Sequence, residues 1–92
     1  MCFILNGDSI HSREALHQVL AAGLHLPEWY GGNLDALHDC LSQPGVENTL
    51  VIRSGAALEA ALGGYAAAFR RVLADCAAEN PQFSVVWEED TP

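Results

Sequence analysis

Asp35 and Asp39 stand four residues apart in Asn33-Leu34-Asp35-Ala36-Leu37-His38-Asp39-Cys40-Leu41. On a helix this spacing sets their Cβ atoms about 5–6 Å apart on one face. Leu34, Leu37 and Leu41 fall within about 60° of one another at 100° per residue, on the opposite side, so the leucines face a core and the acids face outward. Asp35 follows the capping residue Asn33, and there the helix dipole stabilises an acid by about 0.3–1 kcal/mol. Asp39 lies beyond that turn, has no Lys or Arg three or four residues away, and repels Asp35 by a few tenths of a kcal/mol. Helix stability therefore does not account for Asp39.

Paired carboxylates suit several chemistries. About 5–5.5 Å between carboxyls matches a retaining glycosidase, but such acids flank a sugar in a cleft and one of them is kept protonated by burial. Two acids on a solvated helix meet neither need. A metal site from Asp35, His38 and Asp39 lacks further ligands at metal-binding spacing, and His11, His17 and His25 supply none. There is no glycine-rich phosphate loop and no nucleophile elbow. The expectation is no catalytic residue, no cofactor and no metal. What remains is the display of carboxylates to a cationic partner. Just upstream, Trp29 and Tyr30 adjoin Gly31 and Gly32, large rings beside backbone that a partner can approach closely, which is a composition typical of protein interfaces. His38 falls between the acidic and leucine faces, where boundary packing is favoured over a partner contact.

The elements that must position these residues follow from periodicity and punctuation. Cys2-Phe3-Ile4-Leu5 is continuously apolar and stops at Asn6-Gly7-Asp8, the pattern of a strand buried on both faces and then a turn. Ser12 caps a helix over residues 13–22, with Leu16, Val19 and Leu20 on its apolar face and Gly23 at its end. The acidic helix ends near Ser42-Gln43-Pro44-Gly45. Leu50-Val51-Ile52 and Phe83-Ser84-Val85-Val86-Trp87 are two more strands. Between them, residues 56–62 and 65–78 form alanine-rich helices divided by Gly63-Gly64, the second ending at Asn80-Pro81. Helical connections between strands imply right-handed crossovers and a parallel sheet. The predicted fold is α/β: a small three-stranded parallel sheet packed with about four helices. A single domain spans residues 1–87, and residues 88–92 form an acidic tail.

Composition narrows the partner. The 92 residues carry four arginines, no lysine and twelve acids, a formal charge of −8, and removing the tail acids Glu88, Glu89 and Asp90 still leaves −5. Nucleic acids and anionic membranes need clustered positive charge, so a basic protein is the favoured partner. Cys2, Cys40 and Cys76 show neither CxxC nor metal spacing and are expected as reduced thiols. No secretory leader pattern or membrane-length apolar run is seen, so a cytoplasmic location is expected.

The stretch from Leu26 to Leu41, LPEWYGGNLDALHDCL, closely resembles the barstar family of intracellular ribonuclease inhibitors. The resemblance extends to Ile4-Leu5-Asn6-Gly7 and Leu16-His17-Gln18, and more weakly to Leu50-Val51-Ile52, the last long helix and the final strand. It implies a parallel three-stranded sheet with helices, and an acidic helix and preceding loop that plug the active site of a basic, secreted ribonuclease. It further implies that Gly31, Asn33, Leu34, Asp35, Ala36 and Asp39 contact the nuclease. Trp29 stands where the family often has Tyr, beside Tyr30. Asp75 matches a peripheral acid that is usually Glu, although Arg71 one turn earlier offers it an ion pair. His38 stands where a tryptophan is familiar, and Ser42-Gln43-Pro44-Gly45 lacks an aromatic that often follows the helix.

A ribonuclease holds phosphate with Arg, Lys and His, so carboxylates projected at the same positions compete with RNA. On this reading Asp39 enters the phosphate centre, Asp35 supports it, Trp29 and the Gly31 region supply contact area, and Asn33 combines capping with backbone contacts. The complex is expected to be 1:1, with a monomeric inhibitor. Immunity to a different toxin nuclease, a non-inhibitory adaptor for a basic surface, and a small hydrolytic or metal-dependent enzyme stay open at this point.

Overall fold

A computed structural model describes residues 2–43 and 47–88. Strand β1 (Cys2–Asn6) runs into a single 3-10 turn at Gly7–Ser9, then come α1 (Arg13–Gly23), α2 (Leu34–Ser42), β2 (Asn48–Arg53), α3 (Gly55–Leu62), α4 (Gly64–Glu79) and β3 (Phe83–Glu88). The sheet has the order β1-β2-β3 and every pair is parallel. Each return to the sheet therefore crosses through helices, two between β1 and β2 and two between β2 and β3, as the alternation of elements predicts. The fold is the three-stranded, four-helix α/β arrangement expected.

The core lies on one side of the sheet. Leu5, Leu50, Ile52 and Phe83 point into a single buried cluster with Leu16 and Leu20 of α1, Leu37 and Leu41 of α2, Leu58 of α3, and Phe69, Leu73 and Cys76 of α4. On the other face the register aligns Ile4, Val51 and Val86 across the three strands. Ile4 and Val86 are 46% and 44% exposed there. The expectation that β1 is buried on both faces is thus corrected: its residues alternate, with Leu5 buried and Cys2, Ile4 and Asn6 exposed. The apolar run reflects a parallel edge strand whose outer face the helices do not cover.

Two positions, Gly7 and Asn80, fix how elements join this frame, and the second of them ties down the acidic helix. The turn after β1 needs Gly7, because a Cβ there would stand 2.5 Å from the Ser54 carbonyl oxygen and 2.8 Å from that of Arg53. Buried Asn80, at the end of α4, donates from Nδ2 to the carbonyls of Leu41 at 2.9 Å and Gln43 at 3.2 Å, and its Oδ1 accepts the Gln82 N–H. The open carbonyls at the end of α2 are thereby satisfied from a distant element. The predicted stop at Pro44-Gly45 lies outside the described residues, as do residues 89–92 of the acidic tail. Glu88, assigned to that tail, is instead the last residue of β3, and its carboxylate accepts from Arg53 Nε at 2.9 Å.

Candidate functional site

The acidic helix begins as its sequence dictates. Asn33 is extended, and its Oδ1 accepts the N–H of Ala36 at 2.8 Å. Gly32 before it has φ +69°, the left-handed region in which a side chain is strained. At Gly31 a Cβ would press on the Asn33 side-chain amide at 3.2 Å, so the missing side chain leaves room for the cap. Leu37 and Leu41 are buried, Leu34 is half-buried against the core, and Ala36 is half-buried.

Asp35 and Asp39 project from the opposite face and are exposed. Neither forms an ion pair among the described residues. Burial, with the Asp39 charge adding to it, pushes the neighbouring Cys40 thiol up, so that thiol stays protonated at neutral pH. The carboxylate pair is therefore free to meet cations from outside the chain.

The two aromatics of the preceding loop diverge. Trp29 is 67% exposed, the most open of the large apolar side chains described. Tyr30 is half-buried and turns its hydroxyl inward to Nδ1 of His17 on α1. The other imidazole nitrogen, Nε2, lies 2.6 Å from the hydroxyl of Tyr65 on α4. Burial raises both tyrosines and lowers His17 below 6.5, with Glu14 opposing the latter weakly. Of the predicted partner contacts, Trp29, Gly31, Asn33, Asp35 and Asp39 are exposed, whereas the Tyr30 hydroxyl and the Leu34 side chain are engaged with the body of the protein.

His38 lies at the boundary, as its position between the faces predicts, with Nε2 2.7 Å from the Glu79 carboxylate at the end of α4. The Cys76 thiol donates to the His38 carbonyl at 3.8 Å. Asp75 sits one turn before Glu79, which brings an exposed acid to the flank of α2. The competing explanation for Asp75, a pair with Arg71, is not formed among the described residues. A shallow groove of about 320 Å³ opens beside the helix start, bounded by Asn33, Asp35, Arg13, Glu14 and Tyr65. Arg13 crosses the Tyr65 ring, its guanidinium carbon 5.3 Å from the centroid.

The roles of Tyr65, Arg13 and Glu79 were not legible beforehand, because they meet the site across long sequence separations. The only signal was His17 itself, a histidine placed on the apolar stripe of α1. Among the described residues no group of three or more His, Cys, Asp or Glu is arranged to hold a metal ion. Nor is any described helix long and apolar enough to cross a membrane.

Two comparisons with known proteins place the chain as a whole. The family model described as Barstar (barnase inhibitor) matches residues 1–88. A Bacillus subtilis (strain 168) protein named "Putative ribonuclease inhibitor YrdF" is 33% identical over 87 residues, covering 92% of this chain and 96% of that protein.

Proposed function

The chain belongs to the barstar (barnase inhibitor) family, and from that premise we propose that α2 and the loop before it plug the active site of a basic ribonuclease. The observation that carries the reading is the pair Asp35 and Asp39, exposed, without internal cations, on a helix held at its start by Asn33 and at its end by Asn80. A rigid helix presents carboxylates without spending side-chain and loop ordering at the moment of association. A phosphate-binding centre lined by Arg, Lys and His offers the complementary charges, and each carboxylate oxygen accepts charge-assisted hydrogen bonds there as phosphate oxygens do.

On this reading Asp39 occupies the phosphate centre and Asp35 supports it from one turn earlier. Exposed Trp29 and the backbone of Gly31 and Asn33 cover the rim, and Asp75 meets its periphery from α4. The inhibitor performs no chemistry: it excludes RNA by occupying the same space with the same charge. It works as a monomer in a 1:1 complex inside the cell that makes the nuclease.

Titration of barnase with the protein, read as residual RNA cleavage, tests the proposal. Stoichiometric loss of cleavage at a 1:1 ratio supports it. Unimpaired cleavage by barnase and by a panel of basic guanyl-preferring ribonucleases overturns it. A second reading, immunity to a different toxin nuclease, draws on His38, whose tie to Glu79 reshapes the rim where the family commonly has tryptophan. Inhibition confined to a nuclease outside the ribonuclease panel selects that reading.

A further inference from the structure

The chain has four arginines, and two of them are engaged inside the fold. Arg53 pairs with Glu88, and Arg70 pairs with Glu59 while lying over the Trp87 ring. Of the other two, Arg71 stands within α4, one turn before Asp75. Arg13 is placed differently. It is the first residue of α1, is exposed, and forms no ion pair among the described residues. The start of a helix carries partial positive charge, so a cation there is unfavourable. Glu14, next along the chain, is the type that end of a helix favours, and it needs no further reason. Arg13 opposes its own helix. Its guanidinium carbon lies 5.3 Å from the centroid of the Tyr65 ring, a contact that holds the side chain in place without neutralising its charge.

That charge stands beside the acidic helix. The groove of about 320 Å³ is bounded by Arg13 and Tyr65, from α1 and α4, and by Asn33 and Asp35 at the start of α2. A second groove, of about 370 Å³, runs along Glu14 and Gln18 of α1 to Tyr30 and Gly31. Glu14 and Gly32 belong to both, so the surface is continuous from Gly31 to Tyr65. Gly32 contributes backbone alone, with nothing within 4 Å of where a Cβ would stand, so a partner can approach closely there. Arg13 and Asp35 border the same groove and form no ion pair with each other.

We propose that the nuclease-binding surface extends from α2 across this groove onto α1, where Arg13 is a specificity-determining residue that meets a carboxylate of the partner. The inference rests on the inhibitory role proposed above and adds to it a charge pattern that the nuclease must carry. A nuclease that brings cations to Asp35 and Asp39 also brings like charge toward Arg13, and like charges juxtaposed at an interface cost affinity. A carboxylate next to those cations removes the conflict and accepts charge-assisted hydrogen bonds from the guanidinium. A basic nuclease that is cationic or apolar at that point is disfavoured, because Arg13 is then repelled or stripped of water without a partner. The aspartates thus select basic nucleases as a class, and Arg13 sorts among them.

The test uses the full chain with barnase as the probe, or, should barnase not bind, the member of the ribonuclease panel that binds tightest. Dissociation constants and dissociation rates are compared for wild type, R13Q, R13K and R53Q, with urea midpoints to verify that each is folded. R13Q and R53Q both make the inhibitor more acidic by one charge, and Arg53 borders neither groove. General attraction to a basic nuclease therefore leaves both binding as tightly as wild type or tighter. The expected result for R13Q is the opposite sign: affinity falls about fivefold through faster dissociation, R13K stays within about twofold of wild type, and R53Q is not weakened. Replacing the carboxylates of the nuclease by amides, one at a time, is expected to find one acid whose loss makes R13Q and wild type bind equally. R13Q binding as tightly as R53Q, or the lack of any coupled carboxylate, overturns the extension onto α1 and leaves the reading of the acidic helix standing. Failure of wild type to bind any nuclease of the panel removes the inhibitory reading, and this inference with it.

Discussion

The imidazole of His38 stands 2.7 Å from the carboxylate of Glu79, so the helix that displays the acids is tied sideways to the end of α4. Both groups are well exposed, at 34% and 53%, and solvent screens the attraction. Glu79→Gln is expected to lower unfolding free energy by less than about 1 kcal/mol in urea titration. Its effect on nuclease dissociation should be equally small, because Glu79 holds the flank of α2 and not the acidic face.

The acidic face itself should show a hierarchy. Breaking a charge pair that is fully desolvated costs about 3–5 kcal/mol, because the surviving charge is left buried without a partner. Asp39→Ala is expected to weaken binding of a cognate ribonuclease on that scale. Asp35→Ala should cost less and Asp75→Ala, at the periphery, less again, within the roughly 0–1 kcal/mol typical of an exposed pair. Equal losses for the three variants in isothermal titration would contradict the assignment of Asp39 to the phosphate centre.

Much of this arrangement was legible from local signals. Asn33 as a cap, the leucine stripe facing the core and the acids facing out are properties of nine consecutive residues, and each is found where periodicity puts it. The helical crossovers and parallel sheet followed from element order. The sheet's open face was not legible, since Cys2-Phe3-Ile4-Leu5 reads the same whether one face or two are covered. The inward turn of Tyr30 was not legible either. It depends on His17, 13 residues away, and on Tyr65, 35 residues away, and no short-range pattern encodes a meeting of three elements.

Asn80 should prove a stability residue despite its place in a turn. Its amide serves the Leu41 and Gln43 carbonyls and the Gln82 N–H together. Asn80→Ala removes these bonds, of which the one to Leu41 is buried and the others part-buried, and is expected to cost about 1–3 kcal/mol by chemical denaturation. Nuclease affinity, measured where the variant is fully folded, should fall as well, since the C-terminal end of α2 is then unpinned. A variant as stable as wild type would remove Asn80 from this role.

Glycines divide by the same physics. Gly7→Ala drives a Cβ to 2.5 Å from the backbone oxygen of Ser54, where no flexible side chain can yield, and a loss of about 3 kcal/mol is expected. Gly32→Ala meets open space and pays only for φ +69°, about 1–2 kcal/mol. The two variants should also differ in kind: Gly7→Ala lowers the melting temperature with affinity intact in the folded fraction, whereas Gly32→Ala shifts the loop that carries Trp29 and Asn33 and reduces affinity.

Stability should be bounded on both sides of neutral pH by buried groups, His17 on the acid side and Cys76 foremost on the alkaline side. His17 is lowered below 6.5 by burial, so the unfolded chain takes up its proton first, and stability is complete above about pH 6.5 and falls as pH drops through the folded value. Cys76, fully buried on α4, is pushed up from 9.0 to about 12, chiefly by burial. There the unfolded chain loses its proton first, so the contribution is present below pH 9 and disappears as pH rises toward 12. Urea midpoints measured from pH 5 to pH 11 should therefore form a plateau between about pH 7 and pH 9. His17→Gln should flatten the acid side alone, and Cys76→Ala should shrink the alkaline side without removing it, because burial also raises Cys40, Tyr30 and Tyr65; an acid limb that persists unchanged in H17Q would assign that limb to other groups.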